Sequence, residues 1–415
     1  MTIKQGDSII AGQIFQKMEE SRQLVYNTTL FTSTEIKPSF IEPGHVTLTV
    51  IVIEKWFIYP VPQFQLADRN FSEWLNVYNA DLNRVIYGLK FLHYNFSGRK
   101  DQLKIFMLNG YARNISFSYS NPYSNRALTE GFSFGMGFTQ NREITYMTGQ
   151  DNKIRQFRNG EFVRNIFSAF GSYQIRKGYY KRTVLAASYS LMHITDSVIE
   201  KYNPGYFGTP GPTAGFIDFS FGKYYTNVDM ITYPLKGEIS YWVVYKRGVG
   251  LTGPNDFFAI DGSYTNYMPH GKNWYSTFHA FGRVKLPFTQ PYINRQAMGY
   301  RDIFLRGQEY YVIDGVAVAL GKYTLRKKIT HFKLPMPIRI KSIPNLPFTI
   351  FAKTYGDIGY CYSRPEASSM LNNRFLYSGG FGVDFLIVYD LNIKLEYSFN
   401  QLGEKGLFLH FKGGF

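Results

Sequence analysis

Apolar and polar residues alternate with a period of two along much of the chain. In the stretch 391–400, the apolar positions are Leu391, Ile393, Leu395, Tyr397 and Phe399. The stretches 274–286, 381–389 and 407–415 show the same alternation. Because successive side chains of a β-strand point to opposite faces, this pattern predicts strands that each have one apolar face.

One apolar face per strand is compatible with a soluble sandwich or barrel and with a membrane barrel. The alternating segments are about ten residues long or longer, and a tilted strand needs ~9–11 residues to cross a bilayer. Lys, Glu, Asn and Arg occupy the opposite faces, as a water-filled lumen requires. Aromatic residues collect at the predicted strand ends, namely Tyr59, Tyr119, Tyr123, Tyr179, Tyr180, Tyr224 and Tyr225. These features favour an all-β, transmembrane antiparallel β-barrel, closed because lipid cannot satisfy a sheet edge.

The length of the alternating region limits the number of strands. Residues 57–415 divided among sixteen strands leave about 22 residues for each strand and its connection, which suits alternating short turns and long loops. Roughly twelve to eighteen strands also fit this length. A barrel of about 16 strands is therefore compatible with the length, but length alone does not settle the number.

The first 56 residues follow a different pattern. Ile9, Ile14, Met18 and Leu24 recur at roughly helical spacing. Two segments, 33–41 and the apolar 46–53, follow on either side of a Pro-Gly turn. This order predicts an amphipathic helix and a hairpin, a small α/β module over 1–56, with Pro60 and Pro62 marking its junction with the barrel.

Composition excludes several classes of protein. The most apolar stretch, 46–53, is far shorter than the ~18 residues of a membrane-spanning helix. A single cysteine, Cys361, excludes a disulfide framework and multi-cysteine metal sites. The net charge is +16, but the basic residues are spread along the chain. That distribution suits contact with anionic lipid better than a nucleic-acid site, and no nucleic-acid partner is expected.

Enzyme signatures are weak. The seven histidines are scattered, and none forms the i, i+4 pair of a helical zinc site. A phosphate-binding loop is missing from the sequence. We therefore predict a protein that is not an enzyme and has no catalytic, cofactor-binding or metal-binding residue.

Several segments resemble one family. The stretch "KQGDSI…ESRQLVYNTTLFTSTEIKP…VTLTVIVIEKW" resembles the second half of a POTRA domain, and "NRVIYGLKFLHYNFSGRKDQLKIFMLNGY" looks like the opening strands of a BamA/TamA-superfamily barrel of the bacterial surface antigen type. "GYRDIFLRGQEYYVIDG" looks like that family's loop-six signature, and "FAKTYGDIGY" resembles one of its late strands. The order of the pieces is more specific than any one of them.

The resemblance implies a 16-stranded outer-membrane barrel, 57–415, behind a partial periplasmic POTRA module, 1–56. The elements that begin a POTRA domain, and a signal peptide, are then expected upstream of Met1.

The resemblance also assigns site residues. Leu305, Arg306 and Gly307 would form the loop-six motif, on a loop folded back into the lumen. Asp357 would be the lumenal partner of Arg306. The family usually places a glutamate where this chain has Thr324, so the contact is expected to rest on Asp357 alone. Phe415 is either the last lipid-facing residue or a C-terminal signal for assembly. The Arg306–Asp357 pair is either a latch with a role in function or a salt bridge that only stabilises the barrel.

The implied function is insertion of barrel proteins, or translocation of polypeptides, at the outer membrane of a Gram-negative bacterium. The implied partners are outer-membrane lipid and lipopolysaccharide, unfolded polypeptide clients and accessory lipoproteins. We expect a weak seam between strands near 84–93 and 407–415. The alternatives are a passive channel or porin, and a barrel anchor that secretes a domain fused upstream.

Overall fold

The computed structural model describes residues 2–42, 44–66, 79, 81–250, 255–300, 302–340, 343–387 and 391–412. The N-terminal module consists of helix α1, Ile14–Tyr26, and a hairpin of β1, Phe31–Glu42, with β2, His45–Glu54. Ile14 and Met18 of the helix are buried against Ile36 of the hairpin. Ile14 and Met18 thus form the packed face of the helix, whereas Ile9, predicted to belong to it, lies before its first residue. No helix in the described residues has both the length and the apolar character needed to cross a membrane.

Sixteen strands form the second unit, a single sheet in which sequential strands are neighbours and every pairing is antiparallel. The predicted number of strands is confirmed. The strands are β3 Ile58–Leu66, β4 Val85–Tyr94, β5 Gln102–Gly110, β6 Ala112–Asn121, β7 Glu130–Asn141, β10 Arg164–Lys177, β11 Lys181–Ile194, β12 Thr213–Val228, β13 Gly237–Arg247, β14 Phe257–Gly271, β15 Trp274–Leu286, β18 Ala317–Ile340, β19 Ile343–Tyr362, β20 Phe375–Leu386, β21 Asn392–Asn400 and β22 Lys405–Lys412.

The connections between the strands contain short elements. Two small hairpins, β8 Ile144–Thr148 with β9 Ile154–Phe157 and β16 Gln296–Met298 with β17 Ile313–Asp314, stand apart from the large sheet. Single helical turns lie at Ala11–Gln13, Leu82–Arg84, Val198–Tyr202, Tyr292–Asn294 and Pro365–Ala367.

The apolar face of the sheet points outward. On β7 the exposed residues are Phe132, Phe134, Met136 and Phe138. In contrast, Lys353, Asp357 and Asp384 of the late strands are buried. Apolar residues outside and charged residues inside are typical of a membrane barrel and the reverse of a soluble one.

The connections separate the two ends of the barrel. The turns 95–101, 178–180, 229–236 and 272–273 lie at one end, and we call this the module end because Asn27 of the module contacts the turn 229–236. The Asn27 Nδ2 donates to the Val228 carbonyl at 3.0 Å, and its Oδ1 accepts from the Ile231 amide at 3.1 Å. The far end carries the longer connections. The sixth of these, residues 287–316 between β15 and β18, is called loop six below.

The opening strand differs from the sequence-based prediction. We expected it at 84–93, but β4 is the second strand and β3 precedes it. Two prolines, Pro60 and Pro62, obscure this strand in the sequence because proline interrupts a ladder. Here β3 is the edge strand, where proline is tolerated.

Both prolines turn toward the free edge of β3. The Tyr94 amide donates to the Phe57 carbonyl at 2.8 Å, so the odd-numbered residues of this strand direct their backbone groups at β4. Pro60 and Pro62 are even-numbered, so the N–H groups that they lack are missing from the free edge of β3. That side faces the position that β22 would occupy in a closed barrel, and no pairing joins β3 to β22 among the described residues.

Candidate functional site: loop six inside the barrel

Loop six is anchored by apolar side chains. Met298, Leu305 and Ile313 are almost completely buried, and they pack with Cys361 of β19 and Leu376 of β20. The small hairpin of β16 and β17 brings these residues to one side of the loop. Burial of this set fixes loop six against one wall of the barrel, that of β18 to β20.

Arg306 is the charged centre of the loop. Its Nε donates to Asp357 Oδ2 at 2.9 Å, and its backbone amide donates to the same oxygen at 3.0 Å. Its Nη2 donates to the other carboxylate oxygen, so the pair is bidentate. The guanidinium also lies 3.9 Å from the ring centre of Tyr355. The structure therefore brings together the two residues that the family resemblance paired.

Thr324 contributes to the same contact, although we expected that contact to rest on Asp357 alone. Its Oγ1 accepts a hydrogen bond from Arg306 Nη1 at 2.9 Å. A hydroxyl satisfies this donor without adding a charge. The guanidinium is therefore bound on two sides, by a carboxylate and by a hydroxyl.

Gly307 lies where a side chain would not fit. Its φ is +86°, and a Cβ built on it would lie 2.9 Å from the Ser398 Cβ. Its carbonyl accepts from Asn400 Nδ2 at 2.8 Å. The glycine thus lets the loop turn and lie directly on β21.

A second cluster of charges, which the sequence did not predict, lies on the inner wall. Lys353 of β19 donates to Asp384 of β20 and to Glu396 of β21, and all three side chains are buried. The Tyr233 hydroxyl donates to Asp384 Oδ2 at 2.7 Å. Tyr233 belongs to the turn 229–236 at the module end, so this turn reaches into the lumen.

The last strand contacts loop six through one histidine. His410 of β22 has its Nε2 3.3 Å from Glu396 and 3.6 Å from Glu309 of loop six. Its ring stacks on Phe304 with 5.9 Å between the centres. Loop six therefore spans from the Arg306 site on β19 to the final strand.

The far-end loops hold the outer part of loop six. Asn152, between β8 and β9, is fully buried and donates to the Val312 carbonyl at 3.0 Å. Its Oδ1 accepts from the Leu371 amide at 2.8 Å. The Tyr311 hydroxyl donates to Glu404 Oε1 at 2.6 Å, and this bond is the main cause that raises the pKa of Tyr311 to about 12. These contacts attach loop six to three other far-end loops.

The charged residues of this site hold loop six in place. Within the described part of the chain, no group of three or more His, Cys, Asp or Glu side chains is placed to hold a metal ion. The ion pairs connect loop six to the wall and to the last strand. Phe415, the predicted C-terminal signal, lies outside the described residues.

Comparison with known proteins defines the fold further. No protein-family model matches the chain, and no curated protein matches it. Among solved structures, it is similar to BamA from Haemophilus ducreyi lacking POTRA domains 1-3, with a TM-score of 0.54 and 12% identity over 99% of this chain and 80% of that one. It is also similar to CdiB from Escherichia coli, with a TM-score of 0.56 and 14% identity over 98% of this chain and 70% of that one. At these identities the likeness establishes the fold, a barrel of the BamA and CdiB type.

Proposed function

We propose that this chain is an outer-membrane barrel of the BamA/TamA type that inserts barrel proteins or moves polypeptides across that membrane. The outward apolar face suits lipid contact, and the fold is shared with BamA and CdiB. In this proposal the N-terminal module is a partial POTRA domain on the periplasmic side. The clients are unfolded polypeptides, with lipid, lipopolysaccharide and accessory lipoproteins as further partners.

One observation carries the proposal, the unpaired edges of the first and last strands. Within the described residues β3 pairs only with β4, and β22 only with β21. Pro60 and Pro62 remove two donors from the free edge of β3. A weak seam is a route by which a client strand can enter the sheet or leave the lumen sideways.

The mechanism has no bond chemistry. An extended client segment can add to a free strand edge, where backbone hydrogen bonds give affinity without requiring a particular sequence. Loop six holds the wall of β18 to β21 and touches β22 through His410. The seam can then open on the side of β3 while the wall of β18 to β21, on the other side of the seam, keeps its shape.

A disulfide lock across the seam tests this function. Cysteine pairs are placed between β3 and β22 in a Cys361→Ala background. The protein is reconstituted in liposomes, and insertion of an unfolded barrel protein is followed by protease protection. We expect oxidation to stop insertion and reduction to restore it.

A matched control uses a pair that is already neighbouring in the sheet. Leu395 and Leu409 are partners in the β21–β22 ladder, so a disulfide between them leaves the seam free. Full insertion by the seam-locked protein would contradict the proposal. Ion conductance without any insertion activity in the unlocked parent protein would make a porin the better assignment.

A further inference from the structure

The two longest strands extend beyond the rim of the barrel at the module end. Pairing of β18 with β15 ends at Lys327, and pairing of β19 with β20 ends at Thr349. The two strands continue together to Ile340 and Ile343. We call the continuation, 329–340 and 343–348, the arm. Roughly a dozen residues at ~3.3 Å each extend it by up to about 40 Å.

The arm has an unusual charge. The stretch 326–356 contains no Asp or Glu. The basic residues of the arm and its root are Lys327, Lys328, Lys333 and Arg339, whereas Arg326 and Lys353 of the same stretch are paired with Asp384 in the barrel wall. Lys333 and His331 are exposed on the described part of the arm. Such a one-sided distribution attracts an anionic partner and repels a basic one.

A cavity of about 370 Å³ lies at the base of the arm. The module contributes Tyr26 and Lys55, the turn 229–236 contributes Met230, and the arm and its root contribute Lys328, His331 and Phe351. Cationic groups and apolar groups therefore line the same space. An apolar side chain beside a carboxylate is the chemistry that matches both.

The cavity faces the lumen and not the bilayer. Phe351 is buried, and its ring centre lies 5.0 Å from that of Tyr233. The Tyr233 hydroxyl in turn bonds to Asp384 inside the barrel. A ligand in this cavity thus reaches it from the lumen mouth. This position favours a polypeptide over a membrane lipid.

We propose that the arm and the cavity at its base form a docking surface for an acidic, extended segment of a client polypeptide. Strand edges along the arm accept the backbone of the segment, as in strand addition. The basic side chains pair with its Asp and Glu residues, and an apolar side chain fills the cavity. This inference rests on the proposed function, because it names the chemistry of the client.

The test measures peptide binding to the full chain in phosphatidylcholine nanodiscs. The probe is a fluorescein-labelled 12-residue peptide that alternates Glu with Phe or Leu, and its partner peptide has Gln in place of Glu. We expect the acidic peptide to bind at low salt and its affinity to fall as the salt concentration rises. The double variant Lys328→Glu with Lys333→Glu should weaken binding about tenfold, which equals about 1.4 kcal/mol.

The control reverses two charges elsewhere on the same rim. Lys177 and Lys181 are exposed and flank the turn 178–180. The double variant Lys177→Glu with Lys181→Glu should leave binding within twofold of the parent. Both variants are first checked for the folded gel mobility of the barrel in unheated samples.

Three results would overturn the docking surface. The first is an equal loss of peptide affinity in both double variants, and the second is equal affinity for the Glu and Gln peptides. The third is an effect of the arm substitutions on binding that is seen only in phosphatidylglycerol nanodiscs, which would assign the arm to the bilayer surface. Failure of the proposed function is distinguishable. A seam-locked protein that inserts clients normally would refute the function, and peptide binding in the same sample would leave the docking surface standing.

Discussion

Two walls of the barrel are built differently. In the wall of β18 to β21, buried charges join one strand to the next, with Arg306, Lys353 and Asp384 at the centre. In the wall of β3 to β7, the side chains that bond across strands include neutral pairs such as Asn114 with Thr139 and Ser120 with Ser133. Among the described residues, the close ion pairs that join two strands lie within β12 to β22.

This contrast suggests how a barrel can open without unfolding. Buried ion pairs are costly to break singly, because the remaining partner is left charged and unpaired. The wall that contains them therefore keeps its shape. The wall of β3 to β7 ends at β3, where prolines weaken the edge. The seam lies where a rigid wall meets a weakly held one.

The largest effect is expected from Arg306→Ala. It leaves Asp357, which is buried, without its cation and removes the charged contact between loop six and the wall. We expect the free energy of unfolding to fall by about 3–5 kcal/mol. Urea titration in detergent, read as the loss of the folded gel band, measures it.

The exposed pair of Arg155 with Asp151 provides the control for this prediction. Both side chains are more than 40% exposed, so Arg155→Ala should change the same quantity by less than about 1 kcal/mol. Equal effects of the two variants would show that the lumenal pair does not stiffen the wall.

A smaller effect is expected from Tyr233→Phe. The substitution keeps the ring against Phe351 and removes the hydroxyl that donates to Asp384. Loss of a hydrogen bond to a buried charge should cost about 2 kcal/mol. Tyr264→Phe, which removes a hydroxyl that donates to Glu238 on the exposed outer surface, should leave the free energy of unfolding nearly unchanged in the same titration. A larger loss of unfolding free energy in Tyr264→Phe than in Tyr233→Phe would show that the turn 229–236 does not stabilise the rigid wall.

The double variant Pro60→Val with Pro62→Val acts on the other side of the comparison. It restores two N–H groups on the free edge of β3, so the seam can pair more strongly with β22. We expect client insertion in liposomes to slow several-fold, while the free energy of unfolding changes by no more than about 1 kcal/mol. Pro38→Val, in the module hairpin, controls for the loss of a proline. Faster insertion by the double variant would contradict the weak-seam account.

The smallest effect is expected from Glu404→Gln. Hydrogen bonds from Tyr311 and then Asn400 lower the pKa of Glu404, so its contribution is present above its unfolded pKa, about 4.3, and is lost as the pH falls further. Protease cleavage of loop six should therefore increase from pH 7 to pH 3 more in the parent than in the variant. Glu161→Gln, on another far-end loop, should behave as the parent does.

Much of the fold was predictable from the period of two, because alternation is a local property that each strand shows by itself. Length limited the number of strands to roughly twelve to eighteen, and the family resemblance implied sixteen. The position of β3 did not, since Pro60 and Pro62 remove the local signal that identifies a strand. An edge strand needs no donor on its free side, and this is known only once the neighbours are known.

The lumenal charges show a second limit. Lys353, Asp384 and Glu396 lie on three different strands, and their contacts follow from sheet register, which alternation does not specify. The contact of Arg306 with Asp357 was implied by family resemblance, and its role in function stays a prediction. Thr324 also binds the guanidinium of Arg306, because a hydroxyl can accept a hydrogen bond as well as a carboxylate can.

Hydrogen exchange of the full chain in nanodiscs can decide whether one wall is fixed and the seam is loose. Amides of peptides from β3, β4 and β22 should exchange at least about a hundredfold faster than those from β19 to β21, a difference of about 2.8 kcal/mol in opening free energy. Arg306→Ala should raise the exchange rates of β19 to β21 and so reduce the difference between the two regions. Uniform protection around all sixteen strands would contradict a rigid wall beside a loose seam.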